Sequence, residues 1–276
     1  MKYLFFISAL FLTLVAFSES NEIERNDRDN PNGNQQIKWE LIWEDNFDTD
    51  GLPNESIWDY EEGYVRNNEA QYYTRNRLEN ARVENGNLVV EARNDNWDGK
   101  EITSASLITK GKKHILFGKI EVRAKLPTGK GAWPAIWMLG TSFKNGTRWP
   151  DCGEIDIMEN VGFDPDKIHG NIHTKSYNHV IGTNKGNSII VEKPYADFHV
   201  YTIEWFETRI DFFVDGEKYF SFANENTGKT TWPFDDPHYL IINLAIGGGW
   251  GGQQGIDDSI FPQKYYIDYV KVYKQK

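Results

Sequence analysis

Apolar and polar residues alternate with a period of two along most of the chain. Leu88, Val90 and Ala92 interleave with Val89, Glu91 and Arg93, and Gly118-Lys-Ile-Glu-Val-Arg-Ala-Lys-Leu126 alternates apolar with charged side chains. The same alternation runs through His199–Trp205, Ile210–Val214 and Tyr266–Tyr273. Successive side chains of a strand point to opposite faces, so the pattern predicts strands with one face in a core and one in water. Turn chemistry separates the runs, at Asn85-Gly86-Asn87, at Asp215-Gly216 and over Pro127–Gly131. No segment sustains a helical stripe beyond about two turns. Many short strands with glycine-rich connections predict an all-β fold, an antiparallel β-sandwich of jelly-roll type.

Two segments stand outside this pattern. Lys2 precedes an apolar run from Tyr3 to Phe17 that ends in Ser18, Glu19 and Ser20. A short basic start, an apolar stretch below the ~20 residues of a membrane span and a small-residue exit predict a signal peptide over residues 1–20. The alternative is an uncleaved anchor. The expected destination is secreted or periplasmic. Residues 21–36 are polar and charged and read as a disordered lead, because such a composition cannot bury a core. Residues 37–276 show neither a second break nor an internal repeat, and are expected to form a single domain.

Composition narrows the function. Of 276 residues, 41 are acidic and 30 basic, a formal net charge of -11. Nucleic-acid binding needs a basic face, so it is not expected. The mean hydropathy of -0.62 excludes a polytopic membrane protein, and no membrane partner is expected. Cys152 is the only cysteine, so the chain has no internal disulfide and its fold rests on packing. Sixteen Phe, 14 Tyr and 10 Trp suit either an aromatic core or exposed platforms for sugar rings, and composition does not choose between them.

The most informative stretch is Asp151-Cys-Gly-Glu-Ile-Asp-Ile-Met-Glu-Asn160. On a strand, Glu154 and Asp156 share a face, but strict alternation sends Glu159 into the core, where an unpaired carboxylate is costly. One extra residue at Ile157–Met158, a β-bulge, returns Glu159 to the acidic face. Crowded carboxylates raise one another's pKa, which lets one hold a proton while another stays ionised. Glycoside hydrolysis uses that division of labour, with a separation of ~5–5.5 Å for retaining and ~6.5–9.5 Å for inverting enzymes. A solvated acidic face and a hard-cation site are the alternatives.

The neighbours bear on that choice. Trp133 and Trp137 share a strand face with Ala135 between them, and line a ligand site if that face carries Glu154 but fill the core if it does not. Trp149 directly precedes the acidic strand, and Trp250 sits among five glycines in Gly247–Gly252. His169, Asn171 and His173 alternate onto one face, where His173 is either a partner of a carboxylate or sugar hydroxyl or a structural histidine. No zinc spacing, phosphate-cradling loop or G-x-S-x-G elbow is present.

With these residues in view, the chain resembles the laminarinase-type branch of glycoside hydrolase family sixteen. The resemblance rests on Trp149-Pro-Asp-Cys-Gly-Glu-Ile-Asp-Ile-Met-Glu159, supported by Trp43–Asp48, Asn67–Thr74, Gly131–Met138, His169–Thr174 and Gly249–Gly252. It implies a jelly roll with a concave substrate cleft and retaining endo-hydrolysis of β-1,3- or mixed β-1,3/1,4-glucan. It implies Glu154 as nucleophile, Glu159 as general acid/base and Asp156 as the residue that orients and tunes the nucleophile. Substrate-binding positions follow at Trp133, Trp137, His173, Asn67 and Arg93, with Trp149 and Trp250 added from their own settings. No cofactor is expected for catalysis. A structural calcium is implied, with Glu44, the Gly86 carbonyl and Asp268 as candidates. The expected partner is a neutral β-glucan and the expected state a monomer. A glucan-binding lectin and a transglycosylase on the same scaffold are the alternatives; the lectin has no need of three crowded carboxylates.

Overall fold

Two-residue turns set much of the strand pairing. Asn85 and Gly86 (φ 53° and 73°) and Asp215 and Gly216 (φ 50° and 80°) occupy the left-handed region that Asn, Asp and Gly tolerate. The computed structural model describes Ile37–Lys276. The expected signal peptide and polar lead lie outside these residues. In chain order the strands are β1 (Trp39–Asp45), β2 (Asp59–Tyr60), β3 (Tyr72–Tyr73), β4 (Ala81–Glu84), β5 (Asn87–Trp97) and β6 (Lys100–Ser104). Next come β7 (Ser106–Ile108), β8 (Gly118–Lys125), β9 (Ala132–Gly140), β10 (Glu154–Val161), β11 (Asp164–His173) and β12 (Lys185–Ile190). The last are β13 (His199–Trp205), β14 (Arg209–Val214), β15 (Glu217–Ala223), β16 (His238–Ile246) and β17 (Gln263–Gln275). The sole α-helix among the described residues, α1, is the four-residue Gly248–Gly251.

The strands form two sheets. One has ten strands, with β15-β14-β13-β8-β17-β5-β6-β3 as its main order, β1 paired with β17 and β4 with β5; the other runs β12-β11-β10-β9-β16-β7-β2. Pairing is antiparallel except between β3 and β6. The expected all-β sandwich is the observed one. β8 shows how the sequence builds it: Ile120, Val122 and Ala124 are fully buried, and the charged residues between them face outward. They pack with Leu88 and Val90 of the same sheet and with Ile136, Met138, Ile155 and Ile168 of the other in one core. Each such side chain contributes about 1.5–3 kcal/mol on burial.

The seven-stranded sheet carries a second apolar cluster on its other face, formed by Ala135, Trp137, Leu139, Cys152, Tyr239 and Ile241. β16 is therefore buried along its whole length. The acidic strand β10 lies in the interior of this sheet, paired with β9 and β11 on its two sides. Gly140, where β9 ends, packs so closely on the loop leading into β10 that a Cβ there would lie 2.0 Å from the Cys152 carbonyl. A side chain at that position would displace the start of the acidic strand.

His238 opens β16 and is fully buried. Its ring packs against Trp205 and Phe234, with centroids 5.1 and 5.7 Å away, and its Nδ1 lies 2.8 Å from the Asp236 carbonyl oxygen. Burial pushes its pKa from 6.5 down to about 4. As pH falls through that window the unfolded chain binds a proton that the folded chain refuses, so stability is lost. Between about pH 6.5 and 4.5 the wild type should lose about 2–3 kcal/mol of unfolding free energy that His238→Gln does not lose. Denaturant melts at the two pH values measure the difference; equal losses would show that His238 carries a proton in the fold.

Candidate active site

The bulge falls where the carboxylates need it. Across the β10–β9 ladder, Asp156 pairs with Trp137 and Met158 with Ile136, which leaves Ile157 as the extra residue. Ile157 and Met158 both enter the core, at 1% and 0% exposure. Glu159 then pairs with Ala135 and stands on the same face as Glu154 and Asp156. On the other side, β11 places His173 beside Glu154, Asn171 beside Asp156 and His169 beside Glu159. Trp133, Ala135 and Trp137 of β9 share this face, as the paired positions require.

Each carboxylate has its own holder, and the holders are uncharged N–H groups or imidazole. The Trp149 indole donates to Glu154 Oε2 at 3.0 Å. Trp133 Nε1 donates to Glu159 Oε1 at 3.1 Å, and Asn171 Nδ2 donates to Glu159 Oε2 at 3.3 Å. His173 Nε2 lies 3.2 Å from Asp156 Oδ2 and 3.7 Å from Glu154 Oε1. Burial pushes the Glu154 pKa up to about 8, and the neighbouring Asp156 charge adds to it. Burial and the charge of Glu159 hold Asp156 well above the ordinary carboxylate range. Burial also raises Glu159, against the opposing pull of His173 and of its Trp133 and Asn171 donors. The three titrate as a unit that keeps protons toward neutral pH.

Aromatic walls stand at both ends of the row. At the Glu159 end, Trp250 meets Trp133 edge-to-face at 5.6 Å and His169 at 4.9 Å. The glycines of α1 permit this: a Cβ at Gly251 would lie 2.9 Å from the Trp133 Cβ. Asn67 is exposed beside this wall, and its carbonyl accepts from the Gly249 N–H at 3.2 Å. At the Glu154 end, Trp149 packs on His173 and on His179, with centroids 6.0 and 5.0 Å away. Trp137 lies in the floor. Only 7% of it is exposed, its Nε1 donates to Asn243 Oδ1 at 2.7 Å, and the Arg66 guanidinium lies 4.8 Å over its ring.

The structure thus brings together Glu154, Asp156, Glu159, Trp133, Trp137, His173, Asn67, Trp149 and Trp250. It does not bring Arg93 to them. Leu88, Val90 and Ala92 of β5 face the core, so Arg93 lies on the outer face of the ten-stranded sheet, where it pairs with Glu91 and Asp95. Glu91, itself 1% exposed, is also met by Arg82 at 3.0 Å and Lys264 at 3.9 Å. Two carboxylates expected to hold calcium have cationic neighbours in this structure. Asp268 accepts from Arg123 at 2.5 Å and Glu44 faces Lys271 at 3.7 Å, so each carboxylate has a cation of its own. Among the described residues, the triplet arranged closely enough to hold a metal is Glu154, Asp156 and His173, the catalytic candidates themselves. Sequence reasoning missed Arg66, Asn243 and His179. Asn243 gave a usable signal, as an amide within the apolar run Tyr239–Ile246.

The electrostatics of the row give a stability prediction. Because Glu154 keeps its proton in the fold up to about 8, stability falls as pH rises from 4.5 to that value. Glu154→Gln removes the penalty, so its melting temperature should exceed that of the wild type at about pH 8.5 by several degrees, and the gap should close toward pH 5. A constant gap across this range would show that Glu154 is ordinarily acidic.

Comparison with known proteins agrees with the geometry. The model of "Glycosyl hydrolases family 16" matches residues 68–271. A β-glucanase of Rhodothermus marinus is 52% identical over 244 residues, spanning 86% of this chain and 85% of that protein. The X-ray structure of the laminarinase from Rhodothermus marinus superposes with a TM-score of 0.84 at 51% identity, over 87% of this chain and 99% of that one. SCLam, a non-specific endo-β-1,3(4)-glucanase from the same family, superposes at 0.83 with 47% identity, over 87% of this chain and 94% of that one. A bulged row of three carboxylates between aromatic walls, on a sandwich shared with these enzymes, makes the chain a member of glycosyl hydrolases family 16.

Proposed function

We propose that the protein is a retaining endo-hydrolase of β-1,3-glucan and mixed-linkage β-1,3/1,4-glucan. One observation carries the reading: Glu154 and Glu159 lie on one strand face with Asp156 between them, and each is fixed by its own indole. Similarity to a laminarinase and to a non-specific endo-β-1,3(4)-glucanase supports the substrate class. A lectin has no use for three crowded carboxylates whose mutual repulsion destabilises the fold.

Glu159 is the general acid. Its raised pKa keeps the proton that the leaving glycosidic oxygen needs, and Trp133 and Asn171 fix the carboxyl. Glu154 attacks the anomeric carbon and forms the glycosyl-enzyme. For this it must be ionised, although burial and Asp156 favour its protonated form. In the reactive form the proton of the Glu154–Asp156 pair moves to Asp156, whose pKa is also held high, and leaves Glu154 as a charged nucleophile. Glu159, now a base, activates water for the second step. Side chains of one chain supply every group, so the reaction runs in a monomer without a cofactor. The acidic row favours neutral polysaccharide and repels sulfated ones. The apolar leader from Tyr3 to Phe17 supports export, which places the enzyme where polymeric glucan is found.

The wild type should release mixed-size oligosaccharides from both laminarin and barley-type glucan, and Glu154→Gln should lose at least about a thousandfold in kcat on each. Binding without release by the wild type would leave a lectin. The two roles separate with azide and an activated aryl glucoside. Glu159→Ala should yield the β-glycosyl azide through the intact nucleophile, and Glu154→Ala the α-glycosyl azide by direct displacement. The reverse pattern would exchange the assignments.

A further inference from the structure

The buried carboxylates outside the catalytic row differ in how they are balanced. Glu91 and Asp211 each have an arginine at ion-pair distance. Glu69, 8% exposed, has no ion pair among the described residues. Three side-chain donors converge on it instead: Gln71 Nε2 at 2.8 Å, Asn67 Nδ2 at 3.1 Å and the Tyr73 hydroxyl at 3.3 Å. Tyr73 in turn accepts from Asn243 Nδ2 at 3.0 Å, and Asn243 Oδ1 accepts from Trp137 Nε1 at 2.7 Å. An indole can only donate and a carboxylate can only accept, so the two ends fix the direction of every bond in this relay. Tyr73 and Asn243, the links between them, are 0% and 4% exposed.

The same carboxylate reaches the rest of the groove. Asn67, which donates to it, neighbours Arg66, whose guanidinium lies over Trp137 and is itself ion-paired to Glu61. Its backbone bridges to Gly247, and a Cβ on Gly248 would come within 3.0 Å of its Cγ, so it also seats the glycine loop that carries Trp250. We propose that Glu69 is a positioning residue for the sugar units beside the scissile bond, orienting Trp137 through Tyr73 and Asn243. The inference rests on the glucan-binding part of the functional reading. It assigns Glu69 to binding and gives it no part in bond cleavage.

The test combines kinetics with binding. Glu69→Gln keeps the shape but removes the charge and turns one acceptor oxygen into a donor facing donors. It should raise KM for laminarin about tenfold while kcat stays within about twofold. In the Glu154→Gln background the same substitution should weaken laminarin binding by a similar factor in titration calorimetry, so the inference is tested even if the wild type proves inactive. Wild-type inactivity overturns the hydrolase reading, whereas an unchanged Kd overturns this one. Because Glu69 acts through Tyr73, its effect on KM should be less than additive in a Tyr73→Phe background. Full additivity, or a fall in kcat at constant KM, would reduce Glu69 to a structural residue. Should Glu69→Gln fail to fold, Tyr73→Phe cuts the relay and leaves the charge in place. It removes both of the hydroxyl's buried hydrogen bonds and should raise KM at least about threefold, and an unchanged KM refutes the relay.

Discussion

Mutual repulsion among three carboxylates on one strand is the constraint that organises this molecule. A strand interior to the sheet holds Glu154, Asp156 and Glu159 at fixed spacing, and a bulge turns the third onto the face of the first two. Such a row would splay or recruit counter-ions if its surroundings were soft. Here it is clamped from below by a core of fully buried aliphatics, and laterally by ladders on both sides. The destabilisation it causes is what keeps protons available near neutral pH, so stability and chemistry are set by the same burial.

The groove divides its labour by side-chain chemistry. Indole N–H groups hold the reacting carboxylates, while the indole rings form walls at the two ends of the row. Trp133 does both, donating to Glu159 and packing against Trp250. Tryptophan suits this dual use because it is large, rigid and donor-only. Trp137 has a third position, in the floor beneath Arg66, where it joins the sheet to the loop that bears Asn67 and Glu69.

Much of this was legible in the chain. The period-two pattern located β8, β13, β14 and β17, and the one break in the pattern, at Ile157–Met158, located the bulge. Alternation states which residues share a face but not which sheet a strand joins, and Arg93 shows the difference. Its strand has the right pattern, yet belongs to the ten-stranded sheet, so the residue faces away from the groove. Arg66 was illegible for another reason. It precedes Asn67 and Asn68, both in left-handed conformation at φ 56° and 53°, and such a turn redirects the chain in a way no periodicity reports. The cationic neighbours of Asp268 and Glu44, Arg123 and Lys271, are remote in sequence, so no pattern along the chain shows them.

The two faces of the sandwich are built on different electrostatic terms. On the outer face of the ten-stranded sheet, Glu91, Asp95 and Asp268 are each matched by arginine or lysine, pairs whose attraction depends on the surrounding electrolyte. In the groove the carboxylates rest on indole, amide and imidazole, and no lysine or arginine stands at ion-pair distance from them among the described residues. Half-exposed ion pairs such as Arg123–Asp268 weaken as salt rises, whereas short neutral hydrogen bonds in the groove depend on it less. Salt therefore acts on the two as on separate objects: a saline medium loosens the ionic lattice on the back of the molecule while the proton inventory of the groove stays as it was. The chemistry would then stay constant as salt varies, and only the scaffold would register the change.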